Sequence, residues 1–130
     1  LKNNQVTWNP EMPDGVPPEN IKIPHEHPFF RLTKGKDMSE EDLLTHHELC
    51  PDKNWGDQYV NSYGISLLDD LDKVDKLLKM PSLRNSKGIS KLVLNPADGV
   101  VSQTGQRKNH YTWWKTTCFS IDSAETVRTL

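Results

Sequence analysis

The chain has 130 residues, the length of one ordinary domain, and is 34% hydrophobic and 26% charged. Leu, Ile, Val and Phe together number 30 residues, or about 23%, just above the roughly 20% below which a chain seldom buries a core. Sixteen Lys and Arg against eighteen Asp and Glu give a net charge of −2, which does not support a general affinity for nucleic acid or anionic membranes. The apolar stretches are too short to span a bilayer. We therefore expect one small soluble domain without a membrane partner.

Two details concern the origin and compartment of the chain. It begins with Leu1 and has no initiator methionine, so we expect a domain excised or trimmed from a larger protein. Its two cysteines, Cys50 and Cys118, are too few for a disulfide scaffold and do not form a C-x-x-C motif. We expect two reduced, buried thiols, and the cytoplasm is the favoured compartment.

The N-terminal segment is rich in proline, with six of the nine prolines in residues 1–28. Proline removes a backbone donor and biases the preceding residue toward an extended conformation. We predict an extended arm over residues 1–28, docked through Trp8, Val16 and Ile23 on a single domain that spans residues 29–130.

The first strand and helix of this domain follow the arm. Residues 29–33 form an apolar, β-type run and are predicted as a strand. Ser39 is followed three residues later by Asp42, which is typical of a capping box, and the two glutamates between them suit a helix N-terminus. We predict a helix over about residues 40–49 that ends before Pro51.

The middle of the chain predicts a second strand and a longer helix. Residues 63–68 are typical of a buried strand. Apolar residues at spacings of three and four then lay one stripe along a helix: Leu67, Leu71, Val74 and Leu78. Three acid-before-base pairs mark its exposed face: Asp69 with Lys73, Asp72 with Lys76 and Asp75 with Lys79. Pro81 ends the helix.

The last third of the chain is typical of strands. Residues 89–94 and 100–103 flank a turn-rich segment and predict a hairpin, and the aromatic, β-branched run 110–119 predicts a further strand. Together they predict an antiparallel meander over residues 89–119. The fold class is thus α+β: a mostly antiparallel sheet of about five strands, two helices packed on one face, and the extended proline-rich N-terminal arm.

Four residues have the chemistry of a metal site: His25, His27, His46 and Cys50. In an extended segment, His25 and His27 project on the same side, while His46 and Cys50 are four residues apart on the predicted helix. These ligand types suit tetrahedral zinc, although the spacing matches no common zinc motif. The alternative is that the histidines are ordinary exposed polar residues.

Another four residues are candidates for catalysis: Arg31, His110, Tyr111 and Thr112. In a strand, His110 and Thr112 share one face, and a histidine beside hydroxyl groups can transfer protons. The Arg31 guanidinium can clamp a phosphate or a carboxylate, or it can pair with an acidic side chain among residues 40–42. If the chain is an enzyme, we expect these four residues to converge across the sheet.

Three nearby residues are candidates for ligand binding: Arg107, Trp113 and Trp114. An aromatic wall next to a histidine can stack on a base, a nicotinamide or a sugar. The alternative is that the tryptophan pair closes a small core. Arg107 belongs to a basic cluster that is too small to indicate nucleic-acid binding by itself.

The sequence contains no nucleophile elbow, P-loop, dinucleotide-binding glycine motif or H-E-x-x-H. These absences exclude serine hydrolases, P-loop NTPases and Rossmann dehydrogenases, and no cofactor is identified. The first hypothesis is a protein-interaction or regulatory module whose protein partner contacts the arm and the aromatic strand. The alternative is a compact effector or toxin-type enzyme, either a nuclease or a nucleotide-group transferase, that uses the four catalytic candidates.

Overall fold

The computed structural model describes residues 7–8, 10–18, 21–22, 27–105 and 108–130. In this part of the chain, six strands form one antiparallel sheet in the order β4-β5-β2-β1-β3-β6. The strands are β1 (Pro28–Thr33), β2 (Ile65–Leu68), β3 (Gly88–Val93), β4 (Gly99–Gln103), β5 (His110–Lys115) and β6 (Glu125–Thr129). The α-helices are α1 (His46–Leu49), α2 (Tyr59–Ser62) and α3 (Leu71–Leu77).

The α+β class with an antiparallel sheet is confirmed, but the sheet has six strands where about five are predicted. The additional strand is β6, a mostly polar and exposed edge strand with a weak sequence signal. The predicted hairpin between 89–94 and 100–103 is wrong, because β3 and β4 are not neighbours. Ile89 and Leu92 of β3 instead lie opposite Leu32 and Phe29 of β1, which matches apolar residues across the two strands.

The helix predicted over residues 40–49 is divided into two turns. A 3₁₀ helix at Glu40–Leu43 precedes α1, and each has its own capping box, at Ser39 and at Thr45. The Thr45 hydroxyl accepts a hydrogen bond from the Glu48 backbone N–H at 3.1 Å. A second helix N-terminus therefore forms inside the segment, and one continuous helix cannot form.

Helix α3 is also shorter than its predicted counterpart, because Leu67 and Leu68 belong to β2. It begins after Asp70, whose carboxylate accepts a hydrogen bond from a first-turn backbone N–H. The predicted ion pairs between aspartates and lysines four residues apart do not form within this fully described helix. Asp75 pairs instead with Arg128 of β6, which fixes the helix to the edge of the sheet.

Val74 is the centre of the buried face of α3, and its side chain is 0% exposed. We expect Val74→Ala to lower the free energy of unfolding by about 2 kcal/mol, because two buried methyl groups are lost and a cavity remains. The matched control, Lys76→Ala on the exposed face of the same helix, should change it by less than about 0.5 kcal/mol. Urea denaturation of both variants measures the difference, and equal effects would contradict this helix register.

The two faces of the sheet carry different cores. One face holds the largest core: Phe29, Leu43, Ile65, Leu67, Leu92, Leu94, Val101 and Trp113. The opposite face holds two smaller cores, one beneath α3 and one beneath α2 and the N-terminal segment. Between these two smaller cores, the register of β2 and β5 places Ser66, His110 and Thr112 on the same face. A polar region therefore separates two apolar ones.

The described residues of the N-terminal segment contact the body of the domain. Trp8 forms an isolated bridge with Thr116, Lys22 forms another with Val101, and Val16 is buried. Ile23, the third predicted docking residue, lies outside the described residues.

Cys50 and Cys118 are free thiols, and both are exposed, so the prediction that they are buried is wrong. They lie outside the strands and helices that build the three cores. Among the described residues, no helix combines the length and apolar character that crossing a membrane requires.

Candidate functional site

The largest cavity opens where β1 and β2 separate. These strands pair at one position, Phe30 with Leu68, and beyond it the cavity reaches about 670 Å³. Residues of α3 and the turn after it form an apolar wall: Val74, Leu77, Met80 and Leu83. The polar residues in the lining are Arg31, His46, Ser66, Ser82 and His110. We call this cavity the main compartment.

A second cavity of about 270 Å³ adjoins the first, and we call it the side compartment. The two share four lining residues: His46, Ser66, Gly105 and His110. The remaining lining of the side compartment is mostly polar: Trp55, Gln58, Asn61, Ser62, Thr104 and Thr112. The compartments together form one cleft, with both histidines at the junction.

Arg31 supplies the cation of the main compartment. Its Nε donates to the Asp42 carbonyl oxygen and its Nη1 to the Ser66 carbonyl oxygen, each at 2.8 Å. It therefore bonds backbone carbonyls, and the predicted ion pair with an acidic side chain of residues 40–42 does not form. Burial lowers the pKa of the guanidinium, and the negative charge of Asp42 opposes this effect. Arginine remains protonated at neutral pH, and within the described part of the chain Nη2 makes no hydrogen bond.

His110 begins β5 and is oriented by Thr104. Its Nδ1 lies 3.1 Å from the Thr104 carbonyl oxygen and 3.1 Å from the Thr104 hydroxyl. A carbonyl oxygen only accepts hydrogen bonds, so Nδ1 carries a hydrogen. The change between the neutral and the charged imidazole then occurs at Nε2. The Thr104 hydroxyl also bonds the Thr112 hydroxyl at 2.6 Å, which extends the network into the side compartment.

His46 lies at the mouth of the cleft, as the first residue of α1. Partial burial lowers its pKa, and the positive charges of Arg31, Lys53 and His110 lower it further. Its imidazole is therefore neutral at pH 7 and can accept a proton. The cleft thus combines a cation, a neutral imidazole and an oriented second imidazole, which suits an anionic ligand and proton transfer.

The four predicted catalytic residues are only partly brought together. Arg31 and His110 line the main compartment, and Thr112 lines the side compartment. Tyr111 lies on the opposite face, with its ring centroid 5.3 Å from that of Phe29. Burial and the neighbouring Asp69 raise its pKa. Tyr111 therefore does not belong to this cleft.

The predicted aromatic wall is part of the core. Trp113 and Trp114 are each 0% exposed, and their Nε1 groups donate to the carbonyl oxygens of Asp98 and Val60. Neither ring lines the cavities described above. Arg107, the third candidate for ligand binding, lies outside the described residues.

The four predicted metal ligands are separated or lie outside the described residues. His46 is in the cleft, Cys50 is exposed, and His27 lies 3.8 Å from the Asp69 carboxylate. His25 lies outside the described residues. Among the described residues, no three His, Cys, Asp or Glu side chains are grouped so that they could hold a metal ion.

Some residues of the cleft have no counterpart in the sequence predictions. His46 is predicted, but as a metal ligand, while Ser66 and Trp55 are not predicted at all. The one available signal is Trp55 itself, a large aromatic residue in the polar, turn-rich segment 51–58. An aromatic residue in such a loop marks a surface that packs or binds.

Comparison with protein-family models finds no matching family. Comparison with curated proteins finds no similar protein. Comparison with solved structures finds no similar fold. The function is therefore argued from the geometry of the cleft.

Proposed function

We propose that the chain is an enzyme that binds a nucleotide in the cleft and transfers a group from it to an acceptor. The observation that carries the proposal is that Arg31, His46 and His110 line one cavity. The interaction-module hypothesis depends on an exposed aromatic strand, whereas Trp113 and Trp114 of β5 are fully buried. The geometry therefore favours the enzyme hypothesis.

A small nucleotide fits the cleft better than a polynucleotide does. The cavity volume of about 670 Å³ lies within the roughly 300–1,000 Å³ typical of small-molecule sites. Its apolar wall suits a base or a ribose, and Arg31 suits a phosphate. A polynucleotide needs many cations along its backbone, whereas the net charge of the chain is −2.

Each polar residue has a role in the transfer. The free Nη2 of Arg31 donates to a phosphate oxygen and holds the nucleotide. Neutral His46 takes the proton of the acceptor hydroxyl as its oxygen forms the new bond. The bond to the leaving oxygen breaks with its electron pair, and that oxygen takes a proton from His110. One proton is taken and one is given, so the transfer leaves the protein with the same net charge.

The test is turnover of NAD, ATP, GTP and a short RNA by the full chain, with the products separated by chromatography. We expect His46→Ala and His110→Ala each to lower kcat/KM by about 10²- to 10⁴-fold, the usual contribution of a general base or acid. His47→Ala is the matched control: its ring stacks on Tyr63 at 4.0 Å, and it should keep the wild-type rate. Because the pKa of His46 is lowered, kcat/KM should rise with pH and reach its plateau below the ordinary histidine range.

Three outcomes decide the proposal. Turnover of a mononucleotide or dinucleotide that is lost in both variants supports it. Cleavage of the RNA alone would favour the nuclease alternative. No turnover of any substrate, or full activity in both variants, would overturn it.

A further inference from the structure

The side compartment contains a buried hydrogen-bond donor without a partner. Nε1 of Trp55 is inaccessible to solvent and has no acceptor among the described residues. Trp55 lines the side compartment. A buried N–H that forms no hydrogen bond costs about 1–3 kcal/mol. An acceptor atom of a ligand in this compartment would remove that cost.

The loop that carries Trp55 is fixed by local contacts. Lys53 Nζ lies 4.3 Å from the centroid of the indole, a cation–π contact. The ring centroid of His46 lies 5.6 Å from the indole centroid, with the planes tilted by 49°. The Trp55 carbonyl accepts a hydrogen bond from Gln58 N–H at 2.9 Å, which starts the next helical turn. The indole is thus held between the loop and a residue of the proposed catalytic site.

Two amide side chains complete the donor and acceptor pattern. Asn61 Nδ2 donates to Gln58 Oε1 at 3.1 Å. This bond occupies one amide group of each side chain and leaves the Gln58 Nε2 donor and the Asn61 Oδ1 acceptor. With the Trp55 N–H, the compartment therefore offers two donors and one acceptor.

We propose that the side compartment recognises a planar ring that carries an amide, with the carbonyl oxygen beside an N–H group. The carbonyl oxygen accepts from Trp55 and Gln58, and the adjacent N–H donates to Asn61. The lactam edge of guanine or hypoxanthine and the carboxamide of nicotinamide share this chemistry, whereas adenine has no carbonyl oxygen. The inference rests on the proposed function and adds the class of substrate that the cleft accepts.

Binding measurements test this inference without any turnover. Isothermal titration of the full chain with GMP, IMP, nicotinamide mononucleotide and AMP gives four dissociation constants. We expect at least one of the three amide-bearing nucleotides to bind about tenfold more tightly than AMP, the discrimination of one good hydrogen bond. Nicotinamide mononucleotide against GMP and IMP distinguishes the two sources of the amide.

Trp55→Phe keeps an aromatic ring and removes the N–H. It should weaken binding of the preferred nucleotide by about tenfold and leave AMP binding unchanged. Trp8→Phe is the matched control, because Trp8 packs with the N-terminal core, away from the cleft. If Trp55→Phe does not fold, Gln58→Ala replaces it as an exposed position that removes the second donor.

The outcomes separate this inference from the proposed function. Equal binding of all four nucleotides, or no effect of Trp55→Phe and Gln58→Ala, would overturn the inference even if His46 and His110 prove essential for turnover. Selective binding that depends on Trp55, without turnover of any substrate, would support the subsite and overturn the transferase.

Discussion

Trp113→Ala should lower the free energy of unfolding by about 3–5 kcal/mol, the usual cost of removing a large aromatic ring from a core. The indole is 0% exposed and belongs to the largest core. Phe119 contacts it edge to face, with the centroids 4.8 Å apart. Its Nε1 donates to the Asp98 carbonyl oxygen at 3.1 Å, and that bond is also lost. Urea denaturation followed by circular dichroism measures the loss.

Trp55→Ala is the matched control for this prediction. It removes the same side chain from a loop outside the cores. We expect it to change the free energy of unfolding by less than about 1 kcal/mol, as is usual for positions outside the core. If the two variants unfold at the same urea concentration, Trp113 does not have the structural role described here.

Gly99→Ala should destabilise the protein by at least about 3 kcal/mol, because strain and steric overlap act together. Gly99 begins β4 with φ +135°, a conformation that residues with a side chain rarely adopt. An added Cβ would lie 2.1 Å from the Trp114 carbonyl oxygen and 3.0 Å from Trp113 Nε1. Both atoms belong to β5, the partner strand of β4, so the pairing itself would have to shift. Thermal and urea denaturation measure the effect.

Gly15→Ala separates strain from overlap. Gly15 also has a positive φ, +80°, but a Cβ there would have no atom within 4 Å. Only the backbone strain remains, so we expect a cost of about 1 kcal/mol. A loss in Gly15→Ala as large as that in Gly99→Ala would show that contact with β5 is not what restricts position 99.

The sequence predicts the strands that follow strong local patterns. The apolar run at Phe29 and the aromatic run at Trp113 both become strands, because β-branched and aromatic residues suit a pleated surface. The pairing of strands depends on contacts between distant residues, which is why β3 pairs with β1 although β4 is nearer in sequence. β6 has an exposed, polar sequence and takes its structure from β3, so its own residues carry little signal.

The candidate site is predicted in part for the same reason. His110 and Thr112 share a face because strand residues alternate, and that relation can be read from the sequence. Their proximity to Arg31 depends on the separation of β1 from β2, which only the folded sheet shows. His46 joins them because Thr45 starts a new helical turn in the middle of a predicted helix.

The single residue pair between β1 and β2 divides the sheet into two mechanical halves. Strands β4, β5 and β2 form one half, and β1, β3 and β6 form the other. Arg31 comes from one half and His110 from the other, and the bond from Arg31 to the Ser66 carbonyl joins them beside the Phe30 and Leu68 pair. A molecule that contacts both the guanidinium and the imidazole therefore connects the two halves, and its binding free energy adds to the cohesion of the whole sheet.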